Sequence, residues 1–405
     1  MNGTPRSERL HIAIFGKRNV GKSSLINVLT NQDLALVADV PGTTTDPVMK
    51  SMEILPLGPV VIIDTAGYDD FGELGDKRVK KTYDVLKKVD LAILVVDAFY
   101  GVQKEDIDFI NLVKSKEIDI LCVINKIDEC DKINHLGIIE EFKIPVVKVS
   151  AKRNIGIEEL KNKISQSIKD PNNEKYIVRD LINEGDYVVL VTPIDSAAPK
   201  GRLILPQQQT ISDIIDKNAI AIVTQEDKLE DVLNNVDVAM VITDSQAFDK
   251  VSKVVPRDVS LTSFSILFAR YKGELRDLVS GIDALYKLKK GDKVLIAEGC
   301  THHRQGEDIG KFKIPNWIRE VVGDGIEYEW ISGNSSFCDI EKFKLIIHCG
   351  GCMLNDREMK YRLQHAKDMK VPIVNYGVLI AKINGVLDRA LEPILKNTNI
   401  LDNNV

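Results

Sequence analysis

Short runs of apolar, β-branched residues recur along the chain, each closed by glycine, proline or charged residues, with amphipathic stretches between them. Residues 10–15, 60–63, 91–96 and 120–124 read as strands, and 146–149 is a further apolar-rich run. Their hydrophobicity is nearly continuous rather than alternating, which marks strands covered on both faces. A helix opens at Ser24, and another fills 157–168. Strands alternating with helices predict an α/β fold with a doubly wound parallel sheet. The pattern returns on a smaller scale. Strands are expected at 187–191, 219–224 and 238–242, with helical stretches near 208–216 and 229–234. A third block offers a helix at 275–285, strands at 294–297, 343–347 and 371–375, and a helix at 378–387. The polar run Lys169-Asp170-Pro171-Asn172-Asn173-Glu174-Lys175 marks a boundary. The expected domains are 1–170, 178–262 and 263–405: one large α/β domain and two smaller ones.

Composition bounds what these domains do. The chain has 405 residues, 44% hydrophobic and 28% charged, with a net charge of −6. That is enough for two or three domains with sizeable cores. The acidic balance gives no reason to expect nucleic-acid binding. Apolar runs are too short to span a membrane, and residues 1–9 are polar, without a signal-peptide core. Six cysteines in a chain this long do not make a disulfide scaffold; clustered, they suit metal or redox chemistry in a reducing compartment. The expected location is the cytoplasm.

The first strand empties into Gly16-Lys17-Arg18-Asn19-Val20-Gly21-Lys22-Ser23, followed by Ser24 and a helix. Strand, G-x-x-x-x-G-K-[ST] and helix together define a phosphate-binding P-loop. Main-chain N–H groups from Gly16 through Ser24 cradle phosphates at a helix N-terminus. Lys22 is expected on the β/γ-phosphates and Ser23 on Mg²⁺. The strand at 60–63 ends in Asp64-Thr65-Ala66-Gly67. Asp64 would hold Mg²⁺ through water, and the Gly67 N–H would sense the γ-phosphate. The strand at 120–124 ends in Asn125-Lys126-Ile127-Asp128. A carboxylate here accepts from the N1–H and N2–H₂ edge of guanine, a donor pair that adenine lacks. Ser150-Ala151-Lys152 supplies a main-chain N–H for guanine O6. These motifs, in this order, point to GTP and GDP with Mg²⁺.

Pro41-Gly42-Thr43-Thr44-Thr45-Asp46-Pro47 fits a first switch, with Thr44 as the Mg²⁺ ligand and Thr43 next. Gly42-Thr43-Thr44, with Asn19 in the P-loop, resembles the TrmE-Era group of GTPases. The resemblance implies that Asn19 helps bind K⁺ and that hydrolysis is potassium-stimulated. As a plain loop residue, Asn19 would cap a turn. In TrmE-like members a switch II glutamate positions water. Asp69, Asp70, Glu73 and Asp76 all lie in that segment, and none is singled out. Tyr68 stands where Ras-like proteins carry a water-orienting glutamine. The middle block has no phosphate loop and no Cys/His cluster. The polar run 193–202 reads as a connector that could cradle an anion. Assembly into a homodimer is the simplest role for this block.

The C-terminal block carries the second chemistry. One strand runs out at Gly299-Cys300-Thr301-His302-His303, and another at His348-Cys349-Gly350-Gly351-Cys352. Two glycines inside Cys-x-x-Cys let the backbone curl so that both sulfurs face one point. Ligand sites in open α/β sheets favour such strand ends. Three readings stand: a [4Fe–4S] cluster, a Cys₃His zinc site completed by His302, His303 or His348, or a redox dithiol. Cys338, Cys122 and Cys130 read as packed or structural. His11 and His135 read as surface or packing residues, and His365 as part of a solvated helix face.

A GTPase with TrmE-like switches, a middle domain, and Cys-Thr-His-His followed by His-Cys-Gly-Gly-Cys resembles the HydF family of [FeFe]-hydrogenase maturation GTPases over essentially the whole chain. The resemblance implies a [4Fe–4S] cluster on Cys300, Cys349 and Cys352. Its fourth ligand would vary, with His302, His303, His348 and Glu307 as candidates. It also implies a scaffold that takes a two-iron precursor from radical-SAM maturases and passes it to apo-hydrogenase. The competing expectation is a TrmE- or Era-like GTPase acting on RNA with a zinc-binding C-terminal domain. Against it stand the acidic balance and the lack of a basic, aromatic-rich surface signal.

Overall fold

Continuous apolar strands need cover on both faces, and the computed structural model supplies it. It describes residues 9–30, 48–55, 57–65, 82, 84–130, 141–168, 176–192, 203–273, 275–299, 309–332, 337, 339–350 and 354–396. The chain forms two compact units, residues 1–173 and 174–405.

In the first unit, β1 (Leu10–Gly16), α1 (Lys22–Thr30), β2 (Val48–Ile54), β3 (Gly58–Asp64), β4 (Leu91–Asp97), α2 (Lys104–Ser115), β5 (Asp119–Asn125), β6 (Val146–Lys148) and α3 (Ile157–Ser167) follow in order. The sheet runs β2-β3-β1-β4-β5-β6. All neighbours are parallel except β2, which is antiparallel to β3 at the edge. Successive residues feed opposite layers. Ile12 and Ile14 pack with α1 and α3, while Ala13 and Phe15 pack with Phe109 and Ile110 of α2. That two-sided burial is why these strands read as unbroken apolar runs. The β2 strand, half exposed and interrupted by Lys50, Ser51 and Glu53, gave no such signal.

The second unit holds two four-stranded parallel sheets built to one plan. The first module comprises β7 (Tyr187–Val191), α4 (Leu205–Ile215), β8 (Ile220–Thr224), α5 (Leu229–Asn235), β9 (Val238–Thr243), α6 (Phe248–Val254), β10 (Ser260–Ser263) and α7 (Phe264–Lys272). After α8 (Leu275–Ser280), the second module has β11 (Lys293–Glu298), α9 (Ile314–Val322), β12 (Glu327–Ser332), β13 (Leu345–His348), α10 (Asp356–Asp368), β14 (Ile373–Asn375) and α11 (Tyr376–Ile383), then α12 (Leu387–Lys396). The sheet orders, β8-β7-β9-β10 and β12-β11-β13-β14, are the same topology.

The likeness extends to single hydrogen bonds. Gly185-Asp186 and Gly291-Asp292 open the modules, both glycines at positive φ (81° and 89°). Asp186 accepts the N–H of Asn183 (2.7 Å), and Asp292 that of Lys289 (2.8 Å). The Ile220 N–H donates to Asp186 O (2.8 Å), and the Glu327 N–H to Asp292 O (2.9 Å). Ser263 caps α7 through the Ile266 N–H (3.3 Å), and Asn375 caps α11 through the Val378 N–H (2.8 Å). From there the two segments run in step, pairing Ser265 with Gly377, Ala269 with Ala381, Gly273 with Gly385 and Leu275 with Leu387.

Paired positions meet where the modules join: a Cβ on Gly377 would collide with Cβ of Ser265. Beyond that crossing the terminal helices are exchanged. Helix α8 packs on β14, and α12 on β10. Side chains of both sheets and of the helices on them, including Val189, Val241, Ile266, Val294, Ile347 and Val378, form one hydrophobic core.

Several expectations are corrected. The helix expected at 275–285 is α8 followed by a 3₁₀ stretch, Gly281–Lys287. That expected at 378–387 ends at Ile383, and a new helix starts after Gly385 at φ 70°. Sequence reading missed α2, α6, α7, α9, α12, β10 and the half-exposed edge strand β12. No helix among the described residues is long and apolar enough to cross a membrane.

Candidate functional site

The nucleotide site is assembled at the carboxyl ends of β1, β3 and β5. Gly16 closes β1 at a point where a Cβ would collide with Val95 O. Asn19 stands at φ 59°, a left-handed position that asparagine tolerates. A Cβ on Gly21 would collide with the side-chain nitrogen of Asn125. Lys22 folds back over the loop, its Nζ donating to Gly16 O (2.8 Å) and Lys17 O (2.7 Å). Ser23 Oγ donates to Asp64 Oδ2 at 3.3 Å, so the two expected Mg²⁺-binding groups stand together. Burial pushes the Asp64 carboxyl up, and Lys22 and Ser23 oppose it. Val20 is buried, holding the loop to the core.

Asn125 is 2% exposed and ties both ends of the site. Its Nδ2 donates to Val20 O (2.9 Å), and its Oδ1 accepts the N–H of Ala151 (3.0 Å). Lys126, at φ 64°, reaches Asp97 at 2.7 Å. The Asp128 side chain is 3% exposed. A hydrogen bond from Ser150 holds its carboxyl below the usual range, and Arg153 Nε lies 3.3 Å from Oδ2. Among the described residues Oδ1 is buried without a partner, an acceptor of the kind that guanine N–H groups require. Lys152 is exposed, 3.6 Å from Glu129. Ser24, at the first turn of α1, is exposed. Thr43, Thr44, Gly67, Tyr68, Asp69, Asp70, Glu73 and Asp76 lie outside the described residues, as does the run 193–202.

The second site lies in the second module. Its strand order changes direction between β11 and β13, the crevice where α/β sheets bind ligands. There Cys349 N–H donates to Ala297 O (2.8 Å), and Cys349 Sγ accepts the Gly299 N–H (2.9 Å). A cysteine sulfur can accept a main-chain N–H, and a thiolate accepts it more strongly than a thiol. Gly299 stands next to Cys300 in the chain, and a Cβ on it would sit 3.5 Å from the Cys349 sulfur. Among the described residues, nothing lies within 4 Å of a Cβ on Gly350. Cys300, Thr301, His302, His303, Glu307, Cys338, Gly351 and Cys352 lie outside the described residues, as does His135.

His348 is fully buried inside β13, paired with Ala297 and Asn375. Burial, then Arg362, drives its imidazole pKa down to about 3, so the ring is neutral. Nδ1–H donates to Cys349 O (2.6 Å), and Nε2 accepts from Arg362 Nη1 (3.0 Å). Protein partners thus take both nitrogens. Arg362, 2% exposed, also binds Glu358 (2.9 Å) and lies over the Phe337 ring at 5.4 Å. Sequence reading missed this buried arginine, because a charged helix gives no sign of which cation turns inward. It also placed His365 on a solvated face. That ring is half-buried, stacked on Tyr361 at 5.7 Å and edge-on to Phe337 at 6.2 Å. His11 is a packed histidine held by Arg9 O (2.8 Å). Cys122 is buried in β5, and Cys130 is half-buried.

Fold and loops define the first unit as a P-loop GTPase. A 50S ribosome-binding GTPase model matches residues 11–126. The tRNA modification GTPase MnmE of Thermoanaerobacter pseudethanolicus is 40% identical over 159 residues, 39% of this chain and 34% of that protein. GTPase Der of Kosmotoga olearia is 35% identical over 170 residues, 39% of this chain and 38% of that protein. The chain thus spans about a third of the length of these curated relatives. Era of Aquifex aeolicus aligns with a TM-score of 0.36 and 21% identity, over 54% of this chain and 93% of that one. Residues 177–273 match the hydrogen maturase F dimerization domain and 276–393 its tetramerization domain, together more than half of the chain. With the GTPase domain ahead of them, this is the hydrogen maturase F architecture, and the chain belongs to the HydF family. Both matched domains are named for self-association.

Proposed function

We propose that this GTPase is an iron–sulfur scaffold of [FeFe]-hydrogenase maturation in the cytoplasm. Cys300, Cys349 and Cys352 would hold a [4Fe–4S] cluster, with a replaceable fourth ligand. Such a cluster supplies an iron site able to accept a bridging group from a two-iron precursor. The chain's part is to hold the thiolates and keep that site open. The observation that carries this reading is the Gly299 N–H on Cys349 Sγ, at the strand-order switch point and one residue from Cys300. With both nitrogens of His348 engaged, the fourth ligand falls to His302, His303 or Glu307.

On this reading the precursor comes from radical-SAM maturases and leaves to apo-hydrogenase. GTP hydrolysis times their exchange, because two nucleotide states can bias partners only through different affinities. Asn19 would hold the K⁺ that stimulates hydrolysis, and the first module would pair two copies into a homodimer. The test is anaerobic reconstitution with iron and sulfide, followed by EPR of the reduced protein. A cluster signal lost in each of Cys300→Ser, Cys349→Ser and Cys352→Ser supports the reading. Wild-type protein that takes up zinc and gives no cluster signal overturns it.

A further inference from the structure

The two modules of residues 174–405 form an internal comparison, since only one carries the cysteine turn. By strand register, Val191 and Thr243 match Ala297 and His348, so Asp244 stands where Cys349 stands. Both turns share their main-chain geometry. The Asp244 N–H donates to Val191 O (3.3 Å) as the Cys349 N–H donates to Ala297 O (2.8 Å). Thr243 Oγ1 donates to Asp244 O (3.3 Å) as His348 donates to Cys349 O (2.6 Å). What the fold alone requires of this turn is therefore present in both modules.

One feature differs at matched positions. Lys272, the last residue of α7, is 2% exposed, and its Nζ donates to Leu354 O at 3.1 Å, two residues beyond Cys352. Its counterpart after α11 is Asn384, which is exposed. Burying an ammonium group costs several kcal/mol unless negative or polar groups compensate it. A requirement of the shared fold would place the same kind of residue at both positions. The lysine instead goes with the cysteines.

We propose that Lys272 is a positioning residue for the cysteine turn and a fixed positive charge beside the group that the turn binds. The inference rests on the cluster reading above. Thiolates around iron carry net negative charge, and reduction adds to it. A buried cation nearby then stabilises the reduced form and raises the reduction potential. Lys272 lies within the segment matched as the dimerization domain, so that segment reaches Leu354, just past the cysteine turn, through this side chain.

The test compares Lys272→Met, Lys272→Gln and Lys272→Arg with Lys367→Met, whose side chain is 63% exposed. Each is made in the full chain and reconstituted anaerobically. The readouts are the reduction midpoint, by EPR-monitored titration, and the rate of iron loss to a chelator. Lys272→Met and Lys272→Gln are expected to move the midpoint to lower potential and to lose iron several-fold faster. Lys272→Arg and Lys367→Met are expected to match wild type. If Lys272→Met does not fold, the Gln–Arg difference decides. Neutral variants with the wild-type midpoint, in a wild type that holds a cluster, overturn the role of Lys272. A wild type that assembles no cluster overturns the cluster reading instead.

Discussion

The side-chain amide of Asn125 donates to the main-chain carbonyl of Val20 at 2.9 Å, joining loops 105 residues apart. Its other end accepts the N–H of Ala151, so one side chain braces the P-loop against both guanine-side loops. Asn125→Ala would leave two buried main-chain groups without partners, each at a cost of about 1–3 kcal/mol. Part of that loss falls on the nucleotide-competent arrangement. GDP affinity by titration calorimetry should drop at least about tenfold, the equivalent of ~1.4 kcal/mol. Wild-type affinity in this variant would show that the brace is dispensable.

The orphan acceptor Asp128 Oδ1 predicts base selectivity. A carboxylate there pairs with the N1–H and exocyclic amine of guanine. Asp128→Asn puts an amide N–H₂ where an acceptor stood, and two donors then face each other. Xanthine carries a carbonyl in place of that amine and restores the match. GTP turnover should fall by about 10²-fold or more, with XTP turnover gained in its place. Equal loss toward both nucleotides would mean that Asp128 does not read the base.

How much of this was legible follows from what each motif needs. The P-loop and the guanine-side loops require particular residues at particular backbone angles, such as Gly21 against Asn125 and Lys126 at φ 64°. Those requirements leave a mark in a single sequence. The doubled plan of the second unit left a fainter mark, because its few shared residues, such as Gly185-Asp186 and Gly291-Asp292, are scattered, and most matched turns and caps use different residues. Ser263 and Asn375 do one job, as do Thr243 and His348, and only their hydrogen bonds reveal the pairing. The edge strands β2 and β12 escaped for a plainer reason. Exposed on one side, they alternate with charged residues and read as loops.

Lys22 and Cys349 sit in different compact units, and their losses should separate. Lys22→Ala removes the cation expected on the β/γ-phosphates and should cut GTP turnover by on the order of 10²-fold or more. Iron and sulfide uptake should stay at the wild-type level. Cys349→Ser should do the reverse. Turnover lost in both variants, or in neither, would contradict the division of labour.

Cys122, buried in β5, predicts a pH effect of definite sign. Burial pushes its thiol pKa from 9.0 up to about 12. The folded state then keeps a proton that the unfolded chain loses above pH 9. Its contribution to stability is complete below that pH and is lost between pH 9 and about 12, at up to ~1.4 kcal/mol per pH unit. Cys122→Ala should lack this component in urea unfolding followed by circular dichroism. Iodoacetamide at pH 8 should label Cys122 only after unfolding, since the thiolate is the reactive form. Labelling of the native thiol would contradict this picture of β5.

The meeting of Ser265 with Gly377 tests the doubled architecture itself. These are matched positions of the two modules, and a Cβ on Gly377 has nowhere to go while Ser265 keeps its own. Gly377→Ala should destabilise the second unit by about 1–3 kcal/mol through overpacking. Ser265→Gly alone loses the hydroxyl contact with Ser245 at 3.0 Å and should cost about 1 kcal/mol. Combined, the two changes restore one Cβ at the crossing. The double variant should then be more stable than the sum of the single losses predicts. Both tryptophans, Trp317 and Trp330, lie in the second unit, so intrinsic fluorescence during urea unfolding isolates it from the GTPase. Strict additivity would mean that the helices do not cross at these two residues.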